Sequence, residues 1–110
     1  MITPDPRSWG YLIIWEFHVR RGAEAAFERV YGPSGEWVAF FKTAQGYIAT
    51  ELIHDLRDSG RYVTLDFWTS KDAYERFREE NLAHYKALDE RGEDMTEKET
   101  PLGIFERIRH

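Results

Sequence analysis

The chain has 110 residues, which suits one domain with its own hydrophobic core, and it carries a formal net charge of −5. It contains no cysteine, which excludes disulfides, thiolate catalysis and cysteine-based metal sites. The negative charge provides no general attraction to a nucleic-acid backbone. Aromatic residues are abundant, with four Trp, six Tyr and seven Phe, and such side chains build both cores and pockets for flat ligands.

Residues 1–10 predict an irregular N-terminal arm, because Pro4 and Pro6 remove backbone donors and disfavour helix. We expect a single domain over residues 11–110. The arm lacks the apolar stretch of a signal peptide. The longest apolar run, residues 11–15, is far shorter than the roughly 20 residues that span a bilayer. These features predict a soluble protein, and the absence of cysteine fits a cytoplasmic location.

Residues 11–20 predict the first strand, since they are rich in aromatic and β-branched side chains. Alternate positions of a strand point to opposite faces of a sheet. The odd-numbered positions are all apolar and are predicted to face the helices: Tyr11, Ile13, Trp15, Phe17 and Val19. Residues 22–43 predict a helical arm with a kink at residues 32–35.

Residues 46–54 and 61–68 predict a β-hairpin with a short, turn-rich connection. Thr69 and Asp72 have the spacing of a capping box at the start of a second helix, which we expect to bend or restart near Asn81. Residues 90–100 are highly charged and predict a solvated connector or a ragged helix end. Residues 102–109 predict a fourth strand, which starts just after Pro101.

This order of elements is the ferredoxin-like βαββαβ pattern of an α+β domain. Right-handed crossovers place both helices on one face of a four-stranded antiparallel sheet. On even-number alternation, the other face would carry Leu12, Ile14, Glu16, His18, Ile48, Thr50, Leu52, Tyr62, Thr64, Asp66 and Trp68. So much apolar surface predicts a homodimer in which one sheet covers its twin.

The third strand and the second helix contain a Trp-x-Ser-x-x-Ala-aromatic block, formed here by Trp68, Ser70, Ala73 and Tyr74. Together with residues 30–52 and the closing LGIFER segment, this block resembles the antibiotic biosynthesis monooxygenase family. The resemblance implies a dimeric α/β barrel with a pocket between the sheet and the helices of each subunit. It also implies oxidation of an electron-rich polyketide or quinol ring by dioxygen, without flavin, haem, metal or any other cofactor.

A related branch degrades haem with an Asn on the first strand and a Trp and a His on the second helix. The corresponding positions here hold Trp15, Phe77 and Ala87, with His84 about one turn earlier. The resemblance therefore does not extend to haem degradation.

Oxygenation without a cofactor needs a base in a pocket that excludes water. The predicted bases are Glu51, which strand alternation turns inward, and His84, whose ordinary pKa is near neutral. Glu51 at a sheet edge and His84 on a helix surface are the plainer alternatives. The predicted substrate-binding residues, which could equally be simple core, are Trp15, Trp37, Tyr47, Phe77, Asn81 and Tyr85. The four histidines show no metal-binding spacing, so no metal site is expected.

Two other functions fit the same order of elements. One is a small-molecule-binding dimer without catalysis, which would lack a buried titratable group beside space for a ring. The other is an RNA-recognition domain, which needs a basic open sheet face and a specific aromatic motif on the third strand. The third strand, GRYVTLDF, lacks that motif and carries Asp66, which argues against RNA binding.

Overall fold

The computed structural model describes residues 8–109. Most of the predicted N-terminal arm therefore lies outside the described residues. The elements are β1 (Tyr11–Val19), α1 (Glu24–Tyr31), α2 (Glu36–Phe41), β2 (Tyr47–His54), β3 (Arg61–Trp68), α3 (Lys71–Glu80), α4 (Leu82–Glu93) and β4 (Thr96–Glu106). None of the described helices is long and apolar enough to cross a membrane.

The four strands form one antiparallel sheet in the order β2-β3-β1-β4. This is the ferredoxin-like α+β architecture, and the prediction is confirmed. The helices pack on one side of the sheet: Phe27 of α1 lies 5.2 Å from Phe17 of β1, and Phe77 of α3 lies 5.7 Å from Trp68 of β3, measured between ring centroids. Within one chain the sheet remains open, with β2 and β4 as its edges.

Both predicted interruptions of the helical segments are confirmed. Residues 32–35 separate α1 from α2, and Asn81 separates α3 from α4. The Asn81 side chain donates a hydrogen bond to the carbonyl of Phe77 at 2.9 Å. The backbone amide of Asn81 donates to the same carbonyl at 3.1 Å, so both nitrogens of Asn81 close the end of α3.

Two predicted boundaries are wrong. The hydroxyl of Ser70, not Thr69, caps α3, accepting a hydrogen bond from the amide of Ala73 at 3.1 Å. For residues 90–100, the helix end agrees with the structure as far as Glu93, where α4 ends, but a connector reaching residue 100 is wrong because β4 already begins at Thr96. The charges of that segment suit an exposed edge strand, where they discourage pairing with other chains.

The inward face of β1 is as predicted, with Tyr11, Phe17 and Val19 each at most 7% exposed. The prediction for β3 is wrong. Tyr11 pairs with Trp68, so the odd positions of β1 lie beside the even positions of β3. Tyr62, Thr64, Asp66 and Trp68 therefore face the helices rather than a partner subunit. A one-residue change of register exchanges the two faces of a strand.

A β-bulge near Ile48 likewise reverses the alternation of β2. Tyr47 pairs with Trp68, but Ala49 pairs with Phe67, which leaves Ile48 as the extra residue. Thr50 then shares the helix-facing side with Asp66, its partner in the ladder. Glu51, opposite Leu65, is exposed on the other face, so its predicted inward orientation is wrong.

The side of the sheet away from the helices is called here the open face. Its apolar residues include Leu12, Ile14, Ile53, Val63, Leu65, Phe67 and Phe105, of which Ile53 and Phe105 are about half exposed. Trp9 packs edge-on against Phe67, with ring centroids 5.3 Å apart. One end of the face is charged, because Arg61 binds both Glu16 at 2.7 Å and Asp55 at 3.2 Å.

Candidate active site

A cavity of about 770 Å³ lies between the helix-facing side of the sheet and the helices. Strands β1, β3 and β4 form its floor, and α3 and α4 contribute to its roof. The volume lies in the range of pockets that enclose a molecule of several fused rings. This space is the candidate active site.

The walls of the cavity are largely aromatic. The ring of Trp37 lies 5.1 Å from that of Tyr85 and 6.2 Å from that of Tyr31, so Trp37 occupies the middle of one wall. Trp15 and Phe17 of β1 line the opposite side, with ring centroids 6.5 Å apart. Such walls suit the binding of a planar molecule.

Asp66 is one of the carboxylates that line the cavity, and it lies on β3 in the floor. Thr50 Oγ1 donates a hydrogen bond to Asp66 Oδ1 at 2.7 Å, and the hydroxyl of Tyr47 donates to Thr50 Oγ1 at 2.8 Å. Burial raises the pKa of Asp66 to about 6, although the Thr50 hydrogen bond acts in the opposite direction. At neutral pH Asp66 is therefore mostly ionised, with a proton affinity that suits a general base.

Tyr74 and Tyr85 form a second polar pair in the cavity. Their hydroxyl oxygens are 2.8 Å apart, and burial raises the pKa of both phenols. The guanidinium of Arg78 lies 5.2 Å from the centre of the Tyr85 ring. Since one hydroxyl of the pair donates to the other, one O–H remains available to donate to a bound molecule.

Three of the eight predicted site residues, Trp15, Trp37 and Tyr85, line this cavity. Tyr47 stands behind it and reaches Asp66 through Thr50. Phe77 is a core residue, 6% exposed and packed against Phe40 and Trp68. These placements bring half of the predicted set to one site.

The remaining three predicted residues lie elsewhere. Asn81 and His84 line a separate, shallower depression between α2 and α4, where the His84 ring is 4.0 Å from that of Phe40. Glu51 is on the open face. The catalytic roles of Glu51 and His84 stay predictions, but neither side chain reaches the aromatic cavity.

Sequence reasoning missed Asp66, Thr50 and Tyr74 as site residues. A usable signal was the alternation Tyr62, Thr64, Asp66, Trp68, in which two large aromatic residues flank the polar ones on the same side of β3. Large aromatic residues on alternate positions favour the buried side of a half-exposed strand. Within residues 8–109, no group of three or more His, Cys, Asp or Glu side chains is arranged to hold a metal ion.

Comparison with solved structures finds closely related folds. A variant of SnoaB, described as a cofactor-independent oxygenase from Streptomyces nogalater, is 25% identical and superposes with a TM-score of 0.69, covering 91% of this chain and 94% of that one. A putative antibiotic biosynthesis monooxygenase from Nitrosomonas europaea is 16% identical, with a TM-score of 0.67 and coverages of 86% and 95%. PA3566 from Pseudomonas aeruginosa is 19% identical, with a TM-score of 0.63 and coverages of 93% and 95%.

Comparison with curated protein sequences finds no significant match. The sequence pattern of one family, described as antibiotic biosynthesis monooxygenase, matches residues 10–91. This span contains β1 to β3, all four helices except the end of α4, and every residue of the Asp66–Thr50–Tyr47 chain. The chain belongs to the antibiotic biosynthesis monooxygenase family.

Proposed function

We propose that the protein is a cofactor-independent oxygenase that oxidises an electron-rich aromatic or quinol-like molecule with dioxygen inside the aromatic cavity. The observation that carries the proposal is the placement of Asp66, an ionisable carboxylate fixed by Thr50 beside room for a ring system. The similarity to SnoaB, which extends over nearly the whole chain, supports the same reaction class.

In the first step, Asp66 removes a proton from an acidic carbon of the substrate, such as a CH₂ group flanked by aromatic and carbonyl-bearing rings. The negative charge that remains is delocalised onto a substrate oxygen. The free O–H of the Tyr74–Tyr85 pair can donate a hydrogen bond to that oxygen. Because the raised pKa values keep both phenols neutral, they act as hydrogen-bond donors to the developing charge.

In the second step, the carbanion passes one electron to dioxygen, and the resulting radical and superoxide combine to form a C–O bond. The peroxide anion takes back the proton held by Asp66, and loss of water leaves a carbonyl. The balance is CH₂ plus O₂ giving C=O plus H₂O, with one oxygen atom in each product. The aromatic walls, together with the bound ring itself, reduce the access of bulk water, which would otherwise protonate the carbanion.

Oxygen uptake by the purified protein with a panel of anthrones and quinols tests this proposal. Asp66→Asn should lower kcat by at least about a hundredfold, the usual contribution of a positioned base. The variant should fold at least as well as the wild type. The raised pKa of Asp66 means that its ionisation costs stability as pH rises from about 4 to about 6, and an amide avoids that cost.

Glu51→Gln and His84→Ala are the matched comparisons, since both residues were candidate bases and both lie outside the cavity. We expect each to retain most of the activity. Full activity in Asp66→Asn together with loss in either comparison variant would refute the assignment of the base. Absence of oxygen uptake with every compound would favour the alternative, a small-molecule-binding dimer without catalysis.

We also propose that the protein forms a homodimer through the open face. Support comes from the side chains of Leu65, Phe67 and Phe105, which give this face an apolar centre. A second copy of the same sheet would cover these residues, as a twofold interface requires. A soluble, cytoplasmic existence without a resident cofactor is the accompanying expectation.

A further inference from the structure

The cavity carries carboxylates at both of its ends. At one end, burial raises the pKa of both Tyr74 and Tyr85, and the charge of Asp66 raises it further. At the other end, burial raises the pKa of Tyr31, and the charge of Glu99 on β4 raises it further. Trp37 lies between these ends, because its ring is near both Tyr85 and Tyr31. The second carboxylate end has no role in the proposed oxidation.

The carboxylates of the cavity outnumber its cations. The charged side chains that line it are Asp66, Glu75, Glu79, Asp89, Glu99 and one cation, Arg78. Glu75 is paired with Lys71 at 3.6 Å. Within residues 8–109, no Lys, Arg or His nitrogen lies within 4.0 Å of a carboxylate oxygen of Asp89 or Glu99. Burial raises the pKa of Asp89, and the charge of Arg78 lowers it, but Arg78 does so from beyond this 4.0 Å limit.

Glu99 is thus a partly buried carboxylate with a neutral partner alone: Thr96 Oγ1 donates to it at 3.3 Å. Burial and the nearby charge of Asp89 raise the pKa of Glu99, as expected for like charges without a counter-ion. The rings of Tyr31, Phe17 and Trp37 flank this end. Aromatic faces beside a carboxylate attract an organic cation and repel an anion.

We propose that the substrate carries a protonated amine, remote from the carbon that is oxidised, and that Glu99 together with Asp89 selects it at the Tyr31 end of the cavity. This inference rests on the proposed function for the place of the ring system. It concerns binding rather than the reaction, so it can be tested without turnover.

The experiment measures anaerobic binding of three matched hydroxynaphthalenes that bear an aminomethyl, a hydroxymethyl or a carboxylate substituent, by isothermal titration calorimetry. The expected order of affinity is ammonium, then neutral, then carboxylate. A single partly exposed charge pair contributes modestly, so Glu99→Gln should weaken the ammonium probe by about fivefold and leave the neutral probe unchanged. Asp89→Asn should act in the same direction, which covers the case that one variant folds poorly.

Glu97→Gln is the control. Glu97 lies on the same strand, is exposed and does not line the cavity, so its loss should leave all three affinities unchanged. Equal affinity for the three probes, tighter binding of the carboxylate, or an equal loss in Glu97→Gln would overturn the inference. Selective ammonium binding together with no oxygen uptake across the anthrone and quinol panel would refute the oxygenase proposal alone. Oxygen uptake with that panel but no selective binding of the ammonium probe would refute this inference alone.

Discussion

Two opposing effects set the pKa of Asp66. Burial between sheet and helices raises it, and the hydrogen bond from Thr50 lowers it, with a net value of about 6. Tyr47 stays protonated, because burial raises its pKa to about 12, and so it continues to donate to Thr50. A base with this pKa is ionised at neutral pH but still binds a proton more strongly than an exposed aspartate does.

The pH dependence of activity should report this balance. For the wild type, kcat/KM should rise with pH through a midpoint near pH 6 and then level off, because the ionised form of Asp66 is the active one. Thr50→Val removes the bond that favours ionisation, so the midpoint should move upward by roughly one unit. Steady-state oxygen uptake, measured from about pH 4.5 to about pH 9, gives the midpoint of each profile.

Thr64→Val is the matched control for this profile. Thr64 lines the same cavity, but no hydrogen bond joins it to Asp66 among the described residues. The pH profile of Thr64→Val should have the same midpoint as that of the wild type, even if the affinity for substrate changes. An unchanged midpoint in Thr50→Val would show that another group controls the rate.

At the scale of single residues, the sequence predicted the kind of chemistry better than the residue that performs it. Trp15, Trp37 and Tyr85 were found because aromatic residues on inward faces are readable from periodicity. Asp66 was missed, because the face of the sheet on which its side chain lies depends on the pairing between β1 and β3. Register is a property of two strands, and alternation within one strand leaves it undetermined.

Gly92, near the end of α4, is positioned against the hydroxyl of Tyr31. A Cβ atom at Gly92 would overlap that oxygen and lie 3.0 Å from Tyr31 Cζ. Tyr31 is 5% exposed, stacks on Phe27 at 4.3 Å and packs against Phe17 at 5.0 Å between ring centroids, so it has little freedom to move away. The absence of a side chain at Gly92 therefore allows α4 to approach the end of the cavity at Tyr31.

Gly92→Ala should be destabilising in the wild type, although alanine is usually the better helix residue by about 1 kcal/mol. The steric conflict with Tyr31 should cost about 1–3 kcal/mol. In a Tyr31→Phe background the missing hydroxyl relieves most of this conflict, and Gly92→Ala should become close to neutral. Urea unfolding of the four proteins gives the interaction energy as a double-mutant cycle. The same cost in both backgrounds would contradict this explanation.

At the scale of elements, the order and types of strands and helices were predictable from local pattern. The breaks at residues 32–35 and at Asn81 follow from glycine, proline and capping chemistry, which act within a few residues. The start of β4 at Thr96 was not predictable in this way, because the charged residues Glu97 and Lys98 are typical of a solvated segment. Their strand conformation comes from pairing with β1, where His18 lies opposite Lys98.

For the whole molecule, the apolar centre of the open face is the main surface still to be covered. Leu65 lies in the ladder between Ile14 of β1 and Glu51 of β2, so it is central to the face and away from the cavity. If the face is a twofold interface, Leu65 approaches the axis or its immediate surroundings. A charge there would be desolvated on association.

Leu65→Glu should therefore convert a micromolar dimer into a monomer, measured by sedimentation velocity, while the far-ultraviolet circular dichroism stays that of the wild type. Leu56→Glu is the control, because Leu56 is fully exposed in the β2–β3 connection and should leave the dimer intact. A folded wild-type monomer at micromolar concentration would refute the interface. So would a Leu65→Glu protein that remains dimeric.

The global topology was predictable because few folds accommodate two helices and four strands in this order. The identity of the open face was predicted only in part. Leu12, Ile14, Glu16 and His18 lie on it as expected, whereas the predicted residues of β3 point the other way. The dimer was inferred in part from residues of β3 that face the helices, and Val63, Leu65 and Phe67 take their place on the open face.

The alternation of β3 also constrains how this family member can change during evolution. Asp66 points into the cavity, and its neighbours Leu65 and Phe67 point to the open face. A single-codon insertion or deletion in this strand would move the carboxylate out of the cavity and a leucine or phenylalanine into it. Lineages should therefore vary β3 by substitution and confine changes of length to the β2–β3 connection around Leu56.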